Sequence, residues 1–231
     1  FVIGSISETQ PTVFFLLDNL RYDQWKVLEP IISELYKIES EDYFYSILPT
    51  ATQYSRNAIF SGLMPREIEK AYPDWWLNDN EEGGKNMKEG ELLNLFLKRS
   101  VKRELKTDYI KITNLNAAKN LQENILNVMN NNFTAIVYNF IDMLSHSRTE
   151  LDIIKQLAPD EKAYRSVTKS WFLNSPLWGA MQKLAEKDVN IVITTDHGTI
   201  RVKQPSKVLG DRETTANLRY KVGKNLQYDR K

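Results

Sequence analysis

Two histidines occur in the 231 residues, and each lies just past an apolar run with an aspartate close by. His197 stands in TTDHG (194–198), directly after Asp196. His146 stands in FIDMLSHSR, four residues after Asp142. Carboxylate and imidazole are suitable ligands for Zn²⁺ or Mn²⁺. The i, i+4 spacing of Asp142 and His146 puts both on one face of a helical turn. Asp196 and His197 are neighbours, so an extended chain would point them apart and a turn must aim them. Gly198 permits such a turn. A further aspartate, Asp18, closes the apolar run TVFFLL.

Hydroxyls supply the other half of the chemistry. In LPTATQYSRNAIFSGLMP (48–65), Thr50, Thr52 and Ser55 precede or open a helical pattern. A hydroxyl there meets the positive end of the helix dipole. Coordination to a cation would lower its pKa and make it a nucleophile at neutral pH. The blander reading is that Thr50 or Thr52 is a helix N-cap, and that an aspartate at a strand end caps the next helix. One DxxxH motif is weak evidence. That motif and TDHG together, holding both histidines of the chain, favour a metal site.

These residues need elements to gather them. Residues 12–17, 108–112, 134–141 and 189–194 are short apolar runs that read as buried strands, and the aromatic run 43–48 reads as another. Residues 22–38, 54–60 (stopped at Gly62), 91–105, 115–129, 160–173 and 176–187 have helical periodicity. Alternation of the two predicts an α/β fold with a mostly parallel central sheet and helices on both faces. Ligands in such folds bind beyond the carboxyl ends of the strands. Asp18, Thr50, Thr52, Asp142 and Asp196 all lie there, so one rim should collect them. Residues 71–90 mix turn residues, acids and large aromatics, and read as a long, mobile surface excursion beside the site, in the manner of a lid.

Composition narrows the chemistry further. Without cysteine there is no disulfide, thiolate metal site or cysteine nucleophile. No apolar run reaches the length of a membrane span, and no signal peptide is evident. The net charge of +1 is uneven: residues 199–231 carry +6 and the rest −5. A basic end beside a metal motif suits an anionic substrate. Arg201, Lys203, Lys207, Arg212 and Arg219 are the candidates to bind it. A solvated tail is the competing reading of that charge.

The ordered set LLDNLRYDQW, PTATQYSRNAIFSGLMP, NFIDMLSHSR and TTDHG resembles the alkaline phosphatase superfamily, and within it the PglZ domain. GDRETTANLRYKVGKNLQY is similar to the C-terminal part of PglZ domains, so the resemblance covers nearly the whole chain. It implies an alkaline-phosphatase-like fold and a two-cation phosphoric-ester hydrolase. Asp18, Thr52, Asp196 and His197 would hold one cation, with Thr52 as nucleophile. The family sets its nucleophile ten residues before a turn glycine, here Gly62. Asp142 and His146 would help hold the second cation. Zinc is the expected metal and manganese the alternative.

The family also supplies a further histidine from a distal C-terminal segment. The resemblance therefore implies that residues 1–231 form one PglZ domain without that segment, and without an upstream receiver and linker. It looks most like PglZ-domain response regulators linked to type IX secretion, which implies a cytoplasmic output domain that is homodimeric at full length. The expected substrate is a phosphodiester, with an oligonucleotide or a cyclic nucleotide as candidates. Trp75 and Trp76 would suit bases that stack. A phosphomonoesterase stays open as a second enzyme. A regulatory or dimerisation module with a structural or vestigial metal site stays open as a non-enzyme. A sulfatase is disfavoured, because its usual formylglycine arises from Cys or Ser and this position is Thr.

Overall fold

The computed structural model describes residues 2–200, 202, 204, 206–215 and 220–228. Four parallel strands form the central sheet: β1 (Thr12–Leu17), β2 (Thr107–Ile112), β3 (Phe133–Tyr138) and β4 (Asn190–Thr194). Their order is β2-β3-β1-β4, with Thr12 paired to both Phe133 and Asn190. β1 and β3 are buried throughout, which explains their largely apolar sequences, with only Thr12 and Thr134 polar.

Side chains of β1 alternate between two cores. Val13, Phe15 and Leu17 join one with α1 (Tyr22–Ile32), α5 (Leu115–Asn124), α8 (Glu161–Leu173) and α9 (Pro176–Leu184). Phe14 and Leu16 join the other with Phe60 of α2 (Thr52–Ser61) and Leu93 and Leu97 of α4 (Glu89–Ser100). Helices thus cover both faces, as the alternating pattern predicts. Three further helices are α6 (Phe140–Glu150) and the short α3 (Pro65–Ala71) and α7 (Asp152–Leu157). Near the C-terminus β5 (Val208–Leu209) pairs antiparallel with β6 (Gln227–Tyr228). No helix among the described residues is long and apolar enough to cross a membrane.

Several expectations need correction. The run 43–48 is not a strand; Tyr43, Phe44, Tyr45 and Leu48 are all exposed, Tyr45 at 93%. Aromatic content imitated strand propensity where no sheet edge was there to receive it. The helix from Tyr22 ends at Ile32 rather than residue 38. Pro30 has no N–H to offer the carbonyl of Lys26, and the Ser33 hydroxyl takes the Glu29 carbonyl at 2.8 Å. The apolar run through residue 141 splits, β3 stopping at Tyr138 and α6 starting at Phe140. That split places Asp142 and His146 on a helix, as their spacing implies.

The excursion 71–90 is largely exposed and irregular, yet it is fastened to α2. Gln53 Nε2 donates to Leu77 O at 2.5 Å, Asn57 Nδ2 to Lys85 O at 3.1 Å, and Asn86 Nδ2 to Thr52 O at 3.3 Å. Trp76 is only 6% exposed and packs with Ile68 and Leu92. Trp75 stacks on Tyr72, with ring centroids 5.1 Å apart. The tryptophans therefore anchor this segment to the core. A freely moving lid does not describe it, because each anchor would have to break for it to lift.

Candidate metal centre and nucleophile

Three loops leave the carboxyl rim of the sheet side by side, and Asn19 ties them together. Asp18 directly follows β1, and its N–H donates to Tyr138 O of β3 at 3.0 Å. Asn19 has φ 64°, a left-handed conformation that asparagine tolerates better than most residues. The turn aims its N–H at Asp196 Oδ1, 3.0 Å away, and its Nδ2 at Asp142 Oδ1, 3.2 Å away. Asp196 Oδ1 also accepts the N–H of His197 at 2.9 Å. This pair of bonds forms the turn that aims Asp196 and His197 inward together.

The φ of Gly198 is not left-handed; a Cβ there would lie 3.3 Å from Arg21 Cγ, and the Arg21 side chain would have to give by a few tenths of an ångström.

His197 is buried, with Nδ1 3.2 Å from Gly198 O. A carbonyl only accepts, so Nδ1 is the donor in this bond, and in the neutral ring Nε2 keeps its lone pair. Nε2 lies 3.0 Å from Thr52 Oγ1, 3.7 Å from Asp196 Oδ2 and 3.8 Å from Asp18 Oδ1. Thr52 Oγ1 is itself 3.5 Å from Asp18 Oδ1. Thr52 is the first residue of α2, and the N-cap is Ala51, without a side-chain bond. The capping explanation of Thr52 therefore falls, and its hydroxyl faces the cluster. Ser55 is buried against Ser46, whose hydroxyl donates to Asp196 O at 2.9 Å. That bridge makes Ser55 part of the scaffold of the Asp196 loop.

Charge makes the cluster a cation trap. Burial, then the neighbouring charge of Asp196, pushes the Asp18 carboxyl up to about 8, against the pull of Arg56. Burial also raises Asp196, although two backbone N–H groups and Arg56 oppose it. Three carboxylates are buried here, Asp18, Asp196 and Glu89, with Arg56 as the one buried guanidinium among the described residues. Asp196 Oδ2 and Asn19 Oδ1 are buried without a hydrogen-bond partner among the described residues. Ligand atoms of Asp18, Asp142 and His197 lie within 4.8 Å of one another. Oxygen and imidazole donors, three buried carboxyl groups against one guanidinium and unsatisfied acceptors together fit a divalent cation.

The predicted residues fare unequally. Asp18, Thr52, Asp196 and His197 converge, and Asp142 reaches the same cluster. His146 lies one helical turn out, with Nε2 3.5 Å from Asp142 Oδ2 and its side chain 61% exposed. Lys207 and Arg212 are exposed and form no bond to the cluster. Arg201, Lys203 and Arg219 lie outside the described residues.

Sequence reasoning missed Arg56, Glu89 and Asn19. For Arg56 a signal existed: Thr52, Arg56 and Phe60 are spaced i, i+4, i+8, which puts the arginine on the inward face of α2. For Asn19 the signal was an asparagine directly after a strand-ending aspartate, suited to a left-handed turn. Glu89 gave none, since it stands in a segment of charged and turn residues.

A family model for the BREX system PglZ alkaline phosphatase-like domain matches residues 4–231. No curated protein matches the chain.

Proposed function

We propose an activity from one premise: the chain belongs to the PglZ alkaline phosphatase-like family, which suggests a phosphoric-ester hydrolase. The activity is cation-dependent hydrolysis of phosphodiesters, with Thr52 as nucleophile. The observation that carries this reading is the position of Thr52 Oγ1, at the amino end of α2 and 3.0 Å from His197 Nε2.

Asp18, Asp196, His197 and the Thr52 hydroxyl would hold one divalent cation, and Asp142 with His146 would contribute to a second. Such cations, when bound, neutralise phosphoryl oxygens and lower the pKa of a coordinated hydroxyl. The amino end of α2 adds a positive dipole where the phosphoryl group must sit. Thr52 gives up its hydroxyl proton to solvent, its Oγ attacks phosphorus in line, and the bond to one esterified oxygen breaks. That oxygen leaves with its electron pair and takes up a proton. Water then attacks the phosphothreonine, frees Thr52 and releases a phosphomonoester. Asn19 keeps Asp196 and Asp142 in register through both steps. Gly198 O fixes the His197 ring so that Nε2 faces the reaction.

Zinc is the metal we favour, and a nucleotide or oligonucleotide diester the substrate, bound with help from the basic residues Arg201, Lys203, Arg212 and Arg219. The motif resemblance supports a further placement, as the cytoplasmic output domain of a two-component response regulator in type IX secretion, homodimeric at full length.

The deciding experiment compares bis(p-nitrophenyl) phosphate with p-nitrophenyl phosphate as substrates of protein loaded with Zn²⁺ or Mn²⁺. Faster turnover of the diester is expected. Preference for the monoester would make this a phosphomonoesterase, and no turnover of either by fully loaded protein would sink the enzymatic reading.

A further inference from the structure

Behind Asp18 lies a buried ion cluster built on Arg56 and Glu89. Arg56 is 1% exposed, and its guanidinium is divided between two acids. Nη1 donates to Asp18 Oδ2 at 2.7 Å and to Asn139 Oδ1 at 3.2 Å. Nε and Nη2 bind Glu89 as a fork, at 2.5 Å to Oε1 and 2.9 Å to Oε2. Glu89 Oε2 also accepts the Tyr109 hydroxyl and lies 3.1 Å from Lys111 Nζ. Burial opposes the charge on Arg56, but Glu89 and then Asp18 outweigh it and hold the guanidinium protonated.

We infer that Arg56, clamped by Glu89, is the positioning residue that fixes how Asp18 meets the cation. This deepens the proposed reaction and rests on it for the turnover readout only. With Oδ2 engaged by Arg56, Asp18 presents Oδ1 alone toward Thr52 and His197, 3.5 Å and 3.8 Å away. An unrestrained carboxylate could rotate and offer both oxygens, which would change the coordination and leave the Thr52 hydroxyl badly placed. Only a planar fork can bind Glu89 with two nitrogens and Asp18 with a third; an ammonium is a point donor. Glu89 also pins Arg56 away from the phosphoryl space. An arginine four residues after the nucleophile would otherwise be the obvious anion clamp.

The position of Lys111 extends the clamp to the edge of the sheet. Its Nζ donates to Asn86 O at 2.9 Å, and Asn86 Nδ2 donates to Thr52 O at 3.3 Å. The same residues thus brace the backbone of the nucleophile and the carboxylate facing it.

The test uses cobalt(II) as probe, added to metal-free protein, with visible absorption and thermal unfolding followed on the same samples. Arg56→Lys and Glu89→Gln are expected to shift the cobalt bands and weaken cobalt binding about 10- to 100-fold, as loss of a ligand-orienting group does elsewhere. At saturating metal and diester, kcat should fall by a similar factor, with KM within about threefold of the wild type. Lys111→Met, which leaves Glu89 still paired with Arg56, should move the bands the same way by less.

A merely structural role would lower the unfolding temperature and leave bands, affinity and kcat of the folded protein unchanged. That result overturns the inference. If Arg56→Lys fails to fold, Glu89→Gln and Lys111→Met decide the matter, and wild-type bands in both overturn it. Wild-type protein that binds cobalt and cleaves no diester would sink the proposed reaction instead, and the bands would still decide the role of Arg56.

Discussion

The two histidine motifs look alike in sequence and end in opposite environments. TTDHG follows β4 and buries both Asp196 and His197. FIDMLSHSR follows β3, yet its Asp142 is partly covered and its His146 is mainly in solvent. The difference comes from what each chain does after its strand. The first turns at once, held by Asn19 N–H and the His197 N–H on one carboxylate oxygen. The second enters a helix, and four residues of helix carry His146 about 6 Å along the axis from Asp142. Position after a strand therefore places a residue on the rim, while the local backbone decides whether it points into the site.

Substitutions at the buried end should cost most. Thr52→Ala should abolish turnover of bis(p-nitrophenyl) phosphate, and His197→Ala should lower kcat/KM by about 10³-fold or more, as expected for groups acting at the reaction centre. Combining them should be no worse than Thr52→Ala alone, because the two act as a unit. Metal content measured on the same samples should show at least one cation retained in Thr52→Ala. Near-wild-type turnover by Thr52→Ala would move the nucleophile to Thr50 or to water.

His146→Ala sharpens the comparison from the other side. A ligand-supporting residue in solvent should cost about 10-fold in kcat/KM, and the loss should be reduced by raising the metal concentration. A loss as large as that of His197→Ala would mean that His146 swings inward when the site is loaded, and that the two motifs are equivalent after all.

The buried motif should also leave a mark on stability against pH, which the exposed one should not. The Asp18 carboxyl is pushed from 3.8 to about 8 in the fold, and Asp196 moves the same way. Below pH 4 each is protonated in both the folded and unfolded states. Between about 4 and 8 the unfolded chain sheds the Asp18 proton and the folded chain keeps it. Stability contributed by the protonated group is therefore lost as pH rises through that window. Metal-free protein should melt at progressively lower temperature from pH 5 to pH 8, and Asp18→Asn should flatten that slope. Added Zn²⁺ or Mn²⁺ should raise the melting temperature most at pH 8, where fewest protons compete. A rising melting temperature in metal-free protein over this range would contradict the assignment.

How much of this was legible depends on where each residue's environment is made. β1, β3 and β4 showed themselves because strands covered on both faces must be continuously apolar. Asp18, Asp196 and His197 followed from them as residues just past strand ends. The run 43–48 was misread because exposed aromatics and buried β-strand aromatics have the same letters. Trp76 was assigned to a lid, because its partners Ile68 and Leu92 lie on either side of an irregular segment. Arg56 and Glu89 were passed over since charged residues on helices are usually solvated; their mutual pairing exists only once α2 and α4 are packed.

The smallest effect discriminates between the two readings of Thr52 that sequence alone left standing. As an N-cap, its loss would cost about 0.5–2 kcal/mol. In the fold the cap position belongs to Ala51, and the Thr52 hydroxyl faces His197 and Asp18. Thr52→Ala should therefore change the stability of metal-free protein by less than about 0.5 kcal/mol, while abolishing turnover. Asp160 provides the internal standard. Its side chain caps α8 by accepting the Ala163 N–H at 2.8 Å, so Asp160→Ala should cost about 1 kcal/mol and leave turnover unchanged. Urea unfolding of the three proteins, with equal slopes, measures both. Equal losses for Thr52→Ala and Asp160→Ala would return Thr52 to the helix end as a capping residue. A loss confined to Asp160→Ala would leave its hydroxyl no structural purpose that urea can detect, and turnover would then be what it is for.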